Sequence, residues 1–381
     1  MSLTIIRPSN ILHATEDLSA GVLAFLALAT RELVHSGVQQ TVLYRPGDEP
    51  AALAAHFDPQ VRLLPIGGAP EHGPWGHLKS LRVALCEELS SRHYDAVHFH
   101  AARAGLLGRA ILSGVAGHPP VYYSPHGLSS LNRERPLASA VAGLMERVAA
   151  LAACRPVGCG HGEARELERL THRTAAVLEN PVDPACFDVE RAPHEQPLVI
   201  AVGRACEQKG ADLFAELAAR FIFAEEPVRF VWVGAGDARH EQVLHAAGVE
   251  VTGWVSPEEV RRHLARAHVY VQASRWEGMP LSVLEAMAAG LPCVVTNVVG
   301  NRDAIAHGIT GLIGGDVSSL AVQLKWLLDH PQRARELGQA AQRDARQRFH
   351  PQRFRHSLLS LYRLHGQPAK APRGALDTAT S

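Results

Sequence analysis

No two cysteines of this chain stand in a Cys-x-x-Cys spacing. Cys86, Cys154, Cys159, Cys186, Cys206 and Cys293 are scattered through 381 residues. Such a density does not make a disulfide framework and fits a reducing compartment, so a cytoplasmic location is expected. Long apolar runs are missing as well. The nearest approach, from Pro136 to Cys154, is interrupted by Glu146 and Arg147, and no bilayer span is expected. The opening stretch MSLTIIRPSN lacks a basic region followed by an apolar run and a small-residue cleavage site, so no secretory leader is expected either. Net charge is absent: Lys+Arg and Asp+Glu number 38 each. A balanced chain lacks the broad basic surface that bulk nucleic-acid binding demands. Lysine itself is scarce. Lys79, Lys209, Lys325 and Lys370 are all there are, and arginine supplies the remaining positive charge.

What is present points to an ordinary globular chain. An apolar fraction of 46% over 381 residues excludes disorder and suits two domains of about 150–200 residues each. Short β-rich runs alternate with helical periodicity from end to end. The runs Leu3–Ile6, Thr41–Tyr44, Val61–Pro65, Ala96–His100, Val121–Ser124, Pro156–Cys159 and Ala176–Leu178 read as strands. Helical stretches such as Gly21–His35, Leu78–Ser91, Gly105–Val115 and Leu137–Ala153 lie between them. The pattern pauses over Asn180–Pro197, where four prolines suggest a linker. It resumes with Leu198–Val202, Val228–Val233, Val249–Val251, Val269–Gln272 and Cys293–Thr296, and turns helical from Asp316 to about His365. The expected fold is α/β: two Rossmann-like, doubly wound domains, 1–184 and 197–350, facing each other across a cleft. Residues 366–381 read as a mobile tail.

Ligands of open α/β sheets sit beyond the carboxyl ends of the strands. The richest stretch there runs from Ser274 to Gly290 and contains Glu277-Gly278-Met279-Pro280-Leu281 and Glu285. Pro280 is placed as the first residue of a helix that Gly290 can close. The free amides and positive dipole end of that helix suit a diphosphate. Glu277 precedes the helix and Glu285 lies on it, where it can accept hydrogen bonds from ligand hydroxyls. An anion beside two carboxylates needs cations, and Gly203-Arg204…Lys209-Gly210, after the first strand of the second domain, supplies them. One of only four lysines stands at that edge.

These segments resemble the signature of family 4 retaining glycosyltransferases of the GT-B fold. The pair Glu277…Glu285 within EGMPLSVLEAMAAGLPCVV carries the likeness, with Gly203-Arg204…Lys209-Gly210, Ser124-Pro125-His126-Gly127, Glu179-Asn180-Pro181-Val182-Asp183 and Val251-Thr252-Gly253-Trp254-Val255. It extends over nearly all of residues 3–362, with the motifs in the family's order. The resemblance implies a nucleotide-sugar donor, UDP- or GDP-linked, bound by the second domain, and a glycan or lipid-linked acceptor bound by the first. Arg204 and Lys209 would neutralise the departing nucleoside diphosphate, Glu285 would hold the ribose, and Glu277 would touch the donor sugar. Amides near Gly278, Met279, Pro280 and Leu281 would hold phosphate. His126 would face the transferred sugar, Gly203 would shape the cation loop, and Trp254 would flank the base. Gly21, in the loop Ser19-Ala20-Gly21-Val22, would let the backbone approach the donor's phosphate and the acceptor, although the family commonly has two adjacent glycines there. The resemblance also implies that the final helix, near 351–365, packs back on the first domain. It implies retention of anomeric configuration, no metal and no other cofactor. Within the family the chain looks most like bacterial O-antigen and exopolysaccharide transferases.

Other readings of the same residues stay open. His98 and His100 share a strand face as a metal pair would, but no third ligand has a convincing spacing. Gly234-Ala235-Gly236 hints at a dinucleotide fingerprint, yet Arg239 occupies the third glycine's place. Arg103, Arg109, Arg133 and Arg135 could form a basic patch for a lipid-linked diphosphate at the inner membrane surface or be scattered surface arginines. A GT-B epimerase, a phosphorylase or a non-catalytic bilobal sugar-binding protein are the alternatives to a transferase.

Overall fold

The computed structural model describes residues 9–364 except 17, 19, 47–52, 68–73, 133 and 224–226. Two parallel sheets account for the named strands. The first contains β1 (Asn10–Thr15), β2 (Gln39–Tyr44), β3 (Arg62–Pro65), β4 (Ala96–His100), β5 (Val121–Ser124), β6 (Arg155–Gly158) and β7 (Ala176–Val177). The second contains β8 (Leu198–Val202), β9 (Arg229–Val233), β10 (Glu250–Val251), β11 (Val269–Gln272), β12 (Cys293–Thr296) and β13 (Leu312–Gly314). Their orders are β3-β2-β1-β4-β5-β6-β7 and β10-β9-β8-β11-β12-β13, with every pairing parallel. In each sheet the chain winds outward, then returns beside its starting strand. The order therefore reverses between β1 and β4, and again between β8 and β11. Such reversals open a crevice at the strands' carboxyl ends, the usual ligand position of this architecture.

The expected strand at Leu3–Ile6 lies outside the described residues, and the strand that pairs in the sheet is β1. Its polar residues hid it from a hydrophobicity reading. All six are buried, and Asn10 uses its amide and side chain on Asp95 and the His93 carbonyl at 2.7 and 3.0 Å. The three-residue β13 was also unforeseen. The segment expected as a linker is anchored to the second lobe: Val182, Cys186 and Phe187 are buried in its core. Gly234 and Gly236 owe nothing to a dinucleotide. A Cβ on either would meet the carbonyl oxygen of Gly203 or Ala205 at 2.2 and 1.9 Å, so they are demanded by backbone packing where β8 and β9 end.

The helix Pro351–Leu361 returns to the first lobe. Its Phe354, Leu358 and Leu361, with Tyr362, join the core beneath the Ala20–Val34 helix, and Arg355 Nε donates to Glu32 at 2.8 Å. The expected tail at 366–381 lies outside the described residues. Among the described residues, no helix is long and apolar enough to cross a membrane.

Candidate active site

At the second lobe's reversal point, β8 and β11 deliver the two halves of a charged pocket. Gly203 follows β8 with φ 138°, a conformation that favours glycine. Its carbonyl is held by Trp232 Nε1 at 2.8 Å, and the loop carries Lys209 back beside it. Gly210 closes that loop at φ 67°, and a Cβ there would strike the Ala273 carbonyl at 2.0 Å. Lys209 Nζ reaches Glu277 Oε1 at 2.8 Å. The same oxygen accepts from Ser274 Oγ at 2.7 Å and Gln272 Nε2 at 3.0 Å. Tyr270 donates to Gln272 Oε1 at 2.5 Å, which fixes the amide's orientation. Glu277 Oε1 is thus saturated, while Oε2 has no donor among the described residues. Arg204 stands exposed at the loop's outer edge.

The helix after Glu277 is Leu281–Ala288, with Pro280 as its N-cap rather than its first residue and no side-chain cap. Pro280 at ψ 113° is still extended, so the helical turn begins one residue later than expected. The Val283 and Leu284 amides turn to the Pro280 carbonyl, whereas the Leu281 and Ser282 amides have no partner inside the helix. Met279 sends its side chain into the core, so only its backbone belongs to the site. Gly290 takes φ 73° just past the end and closes the helix. Glu285 is half-buried on this helix, and its carboxylate makes no hydrogen bond among the described residues. Burial, together with the neighbouring Asp183 charge, pushes its carboxyl up to about 7 against the pull of Arg261 and Lys209.

The first lobe contributes the loop after β5. His126 adopts φ 56° there, a left-handed conformation few non-glycine residues accept and one that concentrates at functional sites. Glu163, buried in the first turn of the His161–Thr171 helix, fastens the loop. Its Oε1 accepts from the Gly127 and Leu128 amides at 2.7 and 3.2 Å, and its Oε2 from the Cys159 amide at 2.9 Å. The His126 loop then meets the Glu277 loop directly: a Cβ on Gly278 would lie 2.9 Å from the Gly127 amide nitrogen.

Behind His126 runs a chain of buried histidines that the missed strand completes. His126 Nε2 is 2.9 Å from His100 Nδ1, and His100 Nε2 is 3.1 Å from His13 Nδ1. His98 engages Tyr362 Oη at 2.6 Å and Ser124 Oγ at 2.9 Å. A third histidine therefore does stand beside His98 and His100, with ligand atoms within 4.8 Å of one another. The ring nitrogens of His98 and His100 are already committed to hydrogen bonds, whereas His13 Nε2 is buried without one. Burial holds His13 and His126 down to about 4 and His98 and His100 well below the usual value, which keeps all four rings neutral near pH 7.

The buried end of that chain is open. Gln40 Nε2 donates to the Thr30 carbonyl at 2.9 Å, while Gln40 Oε1 and His13 Nε2 are each buried with no hydrogen-bond partner. The tautomers along the chain are coupled, because a neutral ring that donates through one nitrogen accepts through the other.

Two expected residues, Gly21 and Arg109, are placed differently. Gly21 sits inside the first turn of the Ala20–Val34 helix, exposed, and a Cβ there would meet nothing within 4 Å. Trp254 is 67% exposed and makes no ring contact among the described residues. Arg109 is no member of a basic patch: it is buried, bonded to Glu146 Oε2 at 2.9 Å and stacked on Tyr123. Arg103 pairs with Glu16 and Arg135 with Glu207, and Arg133 lies outside the described residues. Sequence reasoning missed His13, Gln272, Ser274 and Glu163. Glu163 alone left a signal, as an acidic residue two positions into a helix, and that reads ordinarily as a dipole complement.

Comparisons with known proteins identify the family and the fold. The sequence profile described as Glycosyltransferase Family 4 matches residues 20–185, and the one described as Glycosyl transferases group 1 matches residues 196–330. An Escherichia coli UDP-Gal:α-D-GlcNAc-diphosphoundecaprenol α-1,3-galactosyltransferase is 29% identical over 261 residues, which cover 62% of this chain and 66% of that protein. Among solved structures, a sucrose-phosphate synthase from Thermosynechococcus elongatus superposes with a TM-score of 0.80 at 18% identity, over 93% of this chain and 98% of that one. Anabaena HepE, in complex with UDP and glucose, gives 0.74 at 16% identity, over 92% and 98%. With both lobes matched in order and the two-sheet architecture shared, the chain belongs to the family 4, group 1 glycosyltransferases of the GT-B fold.

Proposed function

We propose that this protein transfers a hexosyl group from a nucleotide-sugar to a glycan or lipid-linked acceptor, with retention, without a metal or other cofactor, at the cytoplasmic face of the inner membrane. Assembly of a surface polysaccharide such as O-antigen or exopolysaccharide is the setting this reading assigns. The observation that carries it is the convergence of Lys209, Glu277 and the uncapped 281–288 helix tip, with Glu285 left free to accept ribose hydroxyls. The UDP bound in the HepE structure and the lipid-linked substrate of the E. coli relative favour a UDP-sugar and a polyprenyl-type acceptor.

On this reading the sugar–phosphate bond breaks toward the helix tip. Lys209 exchanges part of its contact with Glu277 for the diphosphate, and Arg204 adds a second cation as the leaving charge develops. Glu277 Oε2 is left to bind a sugar hydroxyl, and His126 Nδ1 can bind another from the opposite lobe. Among the described residues, no side chain is assigned as a nucleophile for double displacement, which favours front-face attack with the leaving phosphate taking the acceptor's proton. A thermal-shift panel of UDP, GDP, ADP and their sugars tests the donor class, with NMR of the product's anomeric centre testing retention and a chelator testing metal independence. One nucleotide is expected to stabilise the protein, and Lys209→Ala or Glu285→Ala is expected to lower transfer at least about tenfold, as loss of contacts worth roughly 1.5–3 kcal/mol requires. Indifference to every nucleotide would leave the bilobal binding protein as the better reading.

A further inference from the structure

Large apolar side chains exposed to solvent gather on one element. Leu137, Val141, Leu144, Met145 and Val148 are between 48% and 85% exposed on the Pro136–Ala149 helix, and Leu151 follows at 84% just past its end. Their spacing of four, three, one, three and three puts them on one stripe. The helix is amphipathic in the wrong sense for a free surface. Its inward face is Gly143, Ala149 and the charged Glu146, the last held by Arg109 and by Tyr123 Oη at 2.6 Å. The large residues that should build a core look outward instead. Scattered exposed leucines need no explanation, but a contiguous stripe marks a surface that is covered in use.

Charge identifies what covers it. Arg135, Arg147 and Arg155 are exposed along the same stretch, and from Arg135 to Arg155 the sole carboxylate is the buried Glu146. An apolar stripe flanked by Arg147 and Arg155, with the neighbouring acids Glu134 and Glu207 already paired with Arg275 and Arg135, complements an anionic lipid surface. Position supports the same occupant. The helix begins at the cleft mouth, where Glu134 pairs with Arg275 and Arg135 Nη2 reaches Glu207 Oε2 at 2.6 Å on the opposite lobe. A short 3-10 turn, Ser129–Leu131, connects it to the His126 loop. An acceptor with its head at His126 and Glu277 would therefore send its lipid tail out beside Leu137.

We infer that the Pro136–Ala149 helix and Leu151 form a membrane-docking face that lays the cleft mouth on an anionic lipid surface. The inference rests on the lipid-linked acceptor proposed above and assigns the protein's contact with the bilayer to this helix rather than to the arginines near Arg103 and Arg109.

Sedimentation of the full chain with phosphatidylcholine vesicles, with and without about one-third phosphatidylglycerol, tests it. The protein is expected to sediment with the anionic vesicles, less so in high salt. Leu137→Ser/Leu144→Ser/Leu151→Ser, which changes only exposed positions, is expected to keep its melting temperature and lose at least about tenfold in vesicle affinity. Transfer to a soluble, short-chain acceptor analogue should be unchanged in the triple variant, while transfer to a vesicle-borne lipid-linked acceptor falls by a similar factor. Equal sedimentation of parent and variant would overturn the inference. So would a parent that ignores vesicles but forms a dimer the variant cannot, since the stripe would then be a self-association face. Vesicle binding that depends on the stripe in a protein that transfers to neither acceptor would support the docking face and refute the transferase reading instead.

Discussion

Glu285 shows how a single residue can be left unsatisfied for a ligand. In the free protein its carboxyl has no hydrogen-bond donor among the described residues and titrates at about 7 instead of 4.5. Between those values the folded chain keeps a proton that the unfolded chain releases. This group therefore makes the free protein less stable as pH rises from 4.5 to about 7 and adds no further slope above it. A diol ligand reverses the preference, because only the ionised carboxylate accepts two hydroxyls well. At pH 6 about a tenth of the sites carry the carboxylate and at pH 8 about nine-tenths, so nucleotide affinity by calorimetry is expected to improve about ninefold across that interval. Glu285→Gln should bind weakly with no such slope. A parent protein whose affinity is flat from pH 6 to 8 would remove Glu285 from the nucleotide site.

At the scale of elements, the His161–Thr171 helix governs the His126 loop. Glu163 has two oxygens and serves three amides with them. Glutamine has one oxygen, so Glu163→Gln must turn an amino group toward a buried N–H, at a cost of about 1–3 kcal/mol. The charged side chains of the donor pocket, Lys209, Glu277 and Glu285, belong to the second lobe and make no hydrogen bond to Glu163. The expected result is a kcat lowered at least about tenfold with the donor KM within about twofold; an unchanged kcat would show that the loop needs no such fastening. Elements of this kind also mark how far the sequence could be read. β4, β5, β8, β11 and β12 were legible to the residue, because an apolar run between turn residues has one good solution inside a parallel sheet. The charged pocket was legible too, since Lys209, Glu277 and Glu285 lie at strand ends and on a helix that sequence alone locates. β1 was not. Asn10, His13 and Thr15 weaken its apolar pattern, and only a neighbouring strand's backbone and the partners on β4 make their burial tolerable. His13 vanished with that strand, and the histidine network with it, leaving His98 and His100 as an unexplained pair. Arg109 misled for the converse reason: an arginine reads as surface charge until the fold brings Glu146 and Tyr123 to it.

Across the whole molecule, the two lobes are held closed by polar contacts spread along the cleft. Asn180 Nδ2 donates to the Met279 carbonyl at 2.8 Å, and Arg275, anchored on Asp212 at 2.6 Å, extends to Glu134. The most telling contact is at the start of the His161–Thr171 helix. Its N-cap, Gly160, offers no side chain, and the cap comes instead from the opposite lobe, where Asp303 Oδ2 accepts from the Gly162 amide at 2.6 Å. A carboxylate at a helix N-terminus satisfies an orphan amide and opposes the dipole's positive end. Here that stabilisation exists only while the lobes are together, so the helix is fully capped in the closed form alone. Asp303→Ala removes about 1 kcal/mol that is specific to closure, which shifts the open-to-closed ratio about fivefold toward open. Small-angle scattering of the ligand-free variant should give a larger radius of gyration than the parent, saturating nucleotide-sugar should restore it, and apparent donor affinity should weaken by no more than that factor. A variant as compact as its parent, with the same donor affinity, would mean that Asp303 caps the helix without helping to close the cleft.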